Sequence, residues 1–171
     1  NPKQFINLFG SENLFQKTIN RAKTIAPYSR IFIIAGAQYA SNILESDPNL
    51  NPANILIEPD KKHTAIAIGA GAAVIANIDP EAVVVNLWSD HLIETKEQFA
   101  KDVQGAAAAA FKKKALVALG IKPTFPHVGF GYLEAGEKIS TNLYKVKKFL
   151  EKPSLEKAKQ FVRAGNFYWN L

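Results

Sequence analysis

The 171-residue sequence predicts an α/β fold, a mostly parallel central sheet flanked by helices, with a mixed β-hairpin region after residue 126. Three observations carry this. Short β-rich runs alternate strictly with helical patterns as far as Pro123, which is the signature of a parallel sheet covered on both faces. The runs end in Gly, Pro or polar residues, as strands do where they enter loops. After Pro126 the style changes, and two β-rich runs precede one compact helix.

Taken in order, "SENLFQKTINRAKTIA" places Leu14, Phe15, Thr18, Ile19, Ala22 and Ile25 on one helical face, with Ser11 as N-cap. "RIFIIAG" (Arg30 to Gly36) reads as a buried strand, "AQYASNILES" as a helix and "SDPNLNP" as turn chemistry. "NILIEP" (Asn54 to Pro59) is the second strand. "HTAIAIGAGAAVIANI" is apolar nearly all round, which predicts a buried helix. "DPEAVVVNLW" gives a turn and a third strand. Thr95 and Gln98 stand at capping-box spacing before a helix whose final lysines suit the negative end of its dipole. "ALVALGIKP" is a fourth strand. "GFGYLEAG" and "KVKKFLEKP" form a strand pair turning around Gly136. The last helix, "SLEKAKQFVRAG", runs from an N-cap at Ser154 to Gly165. The length suits one domain over residues 1–171.

Composition narrows the function classes. Hydrophobic residues make up 47% and charged residues 21%, an ordinary globular balance. The longest apolar run, Ala65 to Ala76, falls short of the ~20 residues needed to span a bilayer. With no cysteine there is no disulfide framework, thiolate metal site or cysteine nucleophile. A net charge of +6 favours anionic partners, with lysines grouped at Lys112 to Lys114 and Lys145 to Lys152. Aromatic residues do not interleave with them as a nucleic-acid stacking platform would.

Candidate sites are few. "GAGAAV" (Gly69 to Val74) resembles a dinucleotide fingerprint but lies inside a helical pattern, where close packing explains it better. His63, His91 and His127 have no partners at zinc-ligand spacing. No serine sits in a nucleophile elbow. Ligands of open α/β sheets sit beyond the carboxyl ends of the strands, and there stand Gly36, Glu58-Pro59, Ser89-Asp90-His91 and Lys122-Pro123-Thr124. Asp90 is rigidly placed there and has oxygens to offer a hard cation such as Mg²⁺. Spacing alone leaves it between that role and capping a turn. Glu151-Lys152 is likewise either surface charge or a pair able to hold hydroxyls and a phosphate.

Five segments, "NPKQF", "LIEPDKKHTAIAI", "NLWSDHLI", "GIKPTFPHVGFGYLEAG" and "KKFLEKPSLEKAKQFVRAGNFYWN", occur in an order that resembles the mannose-1-phosphate guanylyltransferases of the sugar-nucleotidyltransferase superfamily. The resemblance covers essentially the whole chain. It implies a Rossmann-like nucleotidyltransferase domain, incomplete at both ends: a Gly-rich loop with a catalytic arginine before "PKQF", the first and central strand, and a second metal-binding aspartate beyond Asn170 would lie outside it. It implies cytoplasmic synthesis of GDP-mannose from mannose 1-phosphate and GTP, with Mg²⁺ as cofactor and pyrophosphate as leaving group. Lys3 matches the lysine beside the nucleotide phosphates. Glu58, Pro59, Thr64 and Ala65 match the element near the guanine, and Asp90 matches a Mg²⁺ ligand. Gly129, Gly131 and Tyr132 match the strand along the sugar. Glu151 and Lys152 match the pair that grips sugar hydroxyls and sugar phosphate, and Asn170 an asparagine near the sugar. Lys3, Asp90 and Lys152 are the catalytic set implied.

The chain departs from the family pattern at Lys62-His63, where Arg-Asn is usual, at Ile66 for a proline, and at Trp88-Ser89 for Pro-Ala. These departures keep open an alternative, a non-catalytic paralogue that binds sugar nucleotides and regulates or scaffolds a partner. No nucleic-acid or membrane partner is expected. A homo-oligomer stays open.

Overall fold

The computed structural model describes residues 2–7, 10–60 and 64–170. The chain divides into two compact units, Asn1–Ala115 and Leu116–Leu171. The fold is α/β, with a small parallel sheet in the first unit, a separate antiparallel sheet in the second, and helices flanking them. Among the described residues no helix is long and apolar enough to cross a membrane.

In the first unit, helix α1 (Leu14–Ala22) begins two residues later than the sequence predicts. Asn13 is the N-cap, not Ser11. Its Oδ1 accepts from the Gln16 amide at 2.8 Å while Gln16 Oε1 accepts from the Asn13 amide at 3.0 Å, which satisfies two orphan donors reciprocally. Of the predicted apolar face, Leu14, Phe15, Thr18, Ile19 and Ala22 are all buried, whereas Ile25 lies beyond the helix end and is half-buried. Strand β1 (Ile33–Gly36) pairs in parallel with β2 (Ile55–Glu58), Ile33 opposite Ile55 and Gly36 opposite Glu58. Helix α2 (Ala40–Ser46) crosses between them. Phe15, Ile19, Ala22, Ile31, Ile43 and Leu50 make the core of this unit, with Phe5, Ile33, Ile55 and Leu87 packed against it. Each fully buried large aliphatic or aromatic side chain there contributes about 1.5–3 kcal/mol.

Three further expectations fail in this unit. Helix α3 (Thr64–Ile78) forms, but Gly71 is its one buried residue, and Ile66 and Ile78 are exposed. Close packing is confined to Gly71, where an added Cβ would come within 2.6 Å of Ile34 Cδ1; Gly69 meets nothing. Val83 to Trp88 makes no ladder among the described residues and instead lines a cleft of about 1190 Å³. That cleft is bounded by β1, by α1 and α3, and by Val83 to Ser89. Finally, α4 (Lys96–Lys113) starts at Thr95 without a side-chain cap, and the Gln98 side-chain amide donates to Asp102 at 2.9 Å. Its lysine-rich end turns at Lys114 in the left-handed region, φ 49°.

The second unit carries an antiparallel sheet in the order β3-β6-β4-β5. The predicted fourth strand is reduced to β3 (Gly120–Ile121), paired antiparallel with β6 (Phe167–Asn170), so it is no parallel strand. Strands β4 (Tyr132–Ser140) and β5 (Leu143–Leu150) form the hairpin. The turn falls at Thr141-Asn142, with Asn142 at φ 59°, and not at Gly136. Gly136 sits inside β4, where the register shifts between Ala135 and Lys138, the irregularity a strand glycine often marks. Helix α5 (Leu155–Ala164) has the predicted ends, Ser154 accepting from the Lys157 amide and Gly165 at φ 76°. Ala158 and Phe161 close it over Tyr132, Phe167 and Trp169.

Candidate functional site

In the first unit the carboxyl ends of β1 and β2 open on one rim. Gly36, Glu58, Thr64, Trp88 and Ser89 all line the cleft there, joined by Gln4. Thr64 and Ala65 stand in the first turn of α3, a 15-residue helix whose amino end carries partial positive charge. Pro59 is exposed beside Glu58. The neighbouring Lys62 and His63 lie outside the described residues.

Lys3 and Asp90 meet. Lys3 Nζ lies 2.7 Å from Asp90 Oδ2, with the lysine side chain 68% exposed and the aspartate 35%. The contact joins the short turn Lys3–Phe5 to the loop that follows the Val83–Trp88 run. An ion pair this open contributes no more than about 1 kcal/mol to stability. Its consequence is electrostatic. The hydrogen bond from Lys3 holds the Asp90 carboxyl below its ordinary value, against the opposing effect of partial burial. Burial also pushes His91 below its ordinary value, against the pull of Asp90.

The loop is gripped from beneath by residues that the sequence did not single out as functional. Arg21 is 2% exposed, and its Nη2 donates to the His91 carbonyl at 2.9 Å and to Thr18 Oγ1 at 2.7 Å. The only hint was an arginine one step from an apolar helix face.

In the second unit a different group assembles. An added Cβ at Gly131 would come within 2.7 Å of the Phe149 ring and 3.0 Å of Glu151 Oε2. The Asn170 amide donates to the Gly131 carbonyl at 2.9 Å. Gly131, Glu151 and the Asn170 backbone therefore lie together. Lys152 Nζ pairs with Glu151 Oε1 at 3.1 Å. Lys152 itself sits at φ 42°, directly before Pro153, where L residues are disfavoured twice over. Gly129 donates its amide to His127 Nδ1 at 3.0 Å. Tyr132 is fully buried, and its hydroxyl donates to the His127 carbonyl at 2.9 Å, so it shapes the 127–131 segment rather than presenting its side chain.

Among the described residues no group of three or more His, Cys, Asp or Glu side chains could hold a metal by itself. Asp90 belongs to no such group among the described residues. That suits a cation held by one carboxylate and completed by substrate phosphates and water, not a preformed protein cage.

Polar groups gathered beyond the ends of two parallel strands place the chain in the class of open α/β ligand-binding proteins. Comparison makes this specific. The chain belongs to the nucleotidyl transferase family, whose model matches residues 1–171. It is 36% identical over 171 residues to a mannose-1-phosphate guanylyltransferase of Sinorhizobium fredii, covering 98% of this chain and 33% of that one. A solved structure from Thermus thermophilus, named a mannose-1-phosphate geranyltransferase, superposes with a TM-score of 0.84 at 27% identity, over 99% of this chain and 48% of that one. One from Helicobacter pylori, named a mannose-6-phosphate isomerase, gives 0.76 at 29% identity, over 99% of this chain and 63% of that one. The chain spans about a third of the length of the curated relatives it matches.

Proposed function

We propose that the chain carries the substrate-handling part of a nucleotidyltransferase that makes GDP-mannose from mannose 1-phosphate and GTP. A phosphate oxygen of the sugar phosphate attacks the α-phosphorus of GTP. The bond from that phosphorus to the oxygen bridging it to the β-phosphate breaks, and pyrophosphate leaves with the electron pair. No covalent enzyme intermediate is involved. Such chemistry asks a protein for positioning and charge neutralisation.

The observation that carries the reading is the Lys3–Asp90 contact of 2.7 Å beside the strand-end rim. Lys3 supplies positive charge to the nucleotide phosphates once released from Asp90. Asp90, then free of Lys3, is the residue here that would hold Mg²⁺. A bound Mg²⁺ neutralises charge developing on the phosphates. Glu58, Pro59, Thr64 and Ala65 face the nucleotide, with the α3 amino end favouring its anionic part. In the second unit Glu151 accepts from sugar hydroxyls and Lys152 binds the sugar phosphate. Gly129, Gly131 and the Asn170 backbone shape that side, and Tyr132 supports it. Both units then serve one nucleotidyltransferase domain, and its use of GTP implies a cytoplasmic setting. The family match and the named guanylyltransferase relatives support this reading.

The test is pyrophosphate release from GTP across a panel of hexose 1-phosphates, with Mg²⁺ present and withheld. The proposal expects Mg²⁺-dependent release that is fastest with mannose 1-phosphate. Nucleotide-sugar binding without any release would support the non-catalytic paralogue instead, a reading that the half-exposed Trp88 on the rim favours.

A further inference from the structure

We propose that Arg21 and Thr18 form a positioning clamp that fixes the loop from Trp88 to His91 and thereby aims the Asp90 carboxylate. The inference rests on the role given to Asp90 above. Its physical basis stands apart from that role.

The clamp bonds the loop after Asp90 through Arg21 and meets it before Asp90 through Thr18. Arg21 Nη2 donates to the His91 carbonyl at 2.9 Å. Thr18 Oγ1 lies 3.4 Å from the Trp88 carbonyl and 2.9 Å from that of Leu14. A hydroxyl has one proton, so Thr18 donates to one carbonyl at a time while accepting from Arg21 at 2.7 Å. The two side chains stand one helical turn apart on α1, whose capping box and buried face make it a rigid base.

Arg21 is an unusual residue to keep there. Its Nε and Nη1 have no hydrogen-bond partner, and no carboxylate pairs with it among the described residues. The face of Phe99, 5.9 Å from the guanidinium carbon, is its other support. A buried charge without a counter-ion is costly. Packing alone would be served better by Leu or Met. What an apolar side chain cannot do is hold a loop carbonyl. Lysine has a single charged head and lacks the planar fork that reaches His91 and Thr18 together. A carboxylate partner, in turn, would place a second negative charge beneath Asp90. The arrangement is therefore understandable as a device for the loop, not for the core.

The experiment compares wild type with Thr18→Val, Arg21→Lys and Arg21→Met. Two measurements are made, the Mg²⁺ concentration for half-maximal pyrophosphate release and acrylamide quenching of tryptophan emission. Trp88 is 38% exposed and Trp169 9%, so quenching reports mainly on the clamped loop. Thr18→Val and Arg21→Lys keep the shape of the helix face and remain testable if Arg21→Met does not fold. The clamp predicts a rise in the Mg²⁺ requirement of roughly 10- to 100-fold, the usual effect of losing a ligand's supporting partner. It also predicts stronger quenching in Thr18→Val, with partial recovery of both readouts in Arg21→Lys relative to Arg21→Met. A merely structural role would lower the unfolding temperature and leave both readouts unchanged in the folded protein, and that result overturns the clamp. If wild type shows no Mg²⁺-dependent release, the proposed function fails, and the quenching comparison decides the clamp by itself.

Discussion

At the scale of single residues, Asp90 and His91 divide the work. Asp90 is the ionised group and His91 a neutral neighbour whose carbonyl serves the loop. The position of Asp90 at a strand end was legible in "VVVNLWSDHLIE". Its partner was not, because Lys3 and Asp90 are far apart in the chain and no local pattern reports such a pair. His91 gives a prediction. Its folded pKa lies below the ordinary 6.5 because it is buried, with Arg21 and Lys3 acting in the same direction and Asp90 opposing. The unfolded chain therefore binds more protons between the folded value and about 6.5. Stability is full above that window and declines as the pH falls through it. Urea titrations from pH 7.5 downwards should show this decline, and His91→Gln should flatten it. A second prediction concerns Lys152. Lys152→Gly removes the left-handed strain at φ 42° while loosening the unfolded chain, so stability should stay within about 1 kcal/mol of wild type. The KM for mannose 1-phosphate should nevertheless rise more than that for GTP. An equal rise in both would remove Lys152 from the sugar-phosphate side.

At the scale of elements, the sequence was most reliable where local chemistry decides. The capped helix α5, the apolar face of α1 and the strands β1 and β2 all follow from periodicity and caps. It failed where partners decide. Val83 to Trp88 has every local mark of a strand, yet a strand is defined by its neighbour, and this run faces a cleft. The apolar helix α3 reads as buried for the same reason, since composition cannot say what covers it. The hairpin turn was misplaced because Gly136 is the conspicuous turn residue, while Asn142 adopts the left-handed conformation that closes the hairpin. Gly131, by contrast, is needed for close approach. Gly131→Ala would push a methyl into the Phe149 ring and the Glu151 carboxylate, and should cost about 1–3 kcal/mol by denaturant titration. It should also weaken sugar-phosphate binding more than nucleotide binding.

At the scale of the whole molecule, the first unit carries an apolar cleft of about 1190 Å³ and the second a compact aromatic core. A large exposed apolar concavity is unusual in a folded chain. This chain should therefore enhance the fluorescence of an apolar dye such as ANS under native conditions, and replacing the exposed cleft-lining Val83 or Val84 by Asp should reduce it. No enhancement would mean that the cleft is closed in solution. The family was legible because its segments recur in order along the chain, a long-range pattern that short motifs could not supply. The central proposal is that Asp90 makes the proposed nucleotidyl transfer depend on a divalent cation. Its most direct test is the rate of pyrophosphate release from GTP and mannose 1-phosphate over a Mg²⁺ titration, for wild type and Asp90→Asn. A Mg²⁺-dependent rate is expected in wild type and a loss of roughly 100-fold or more in Asp90→Asn, corresponding to about 2.7 kcal/mol of transition-state stabilisation. An Asp90→Asn protein with the wild-type rate and the wild-type Mg²⁺ requirement would contradict it.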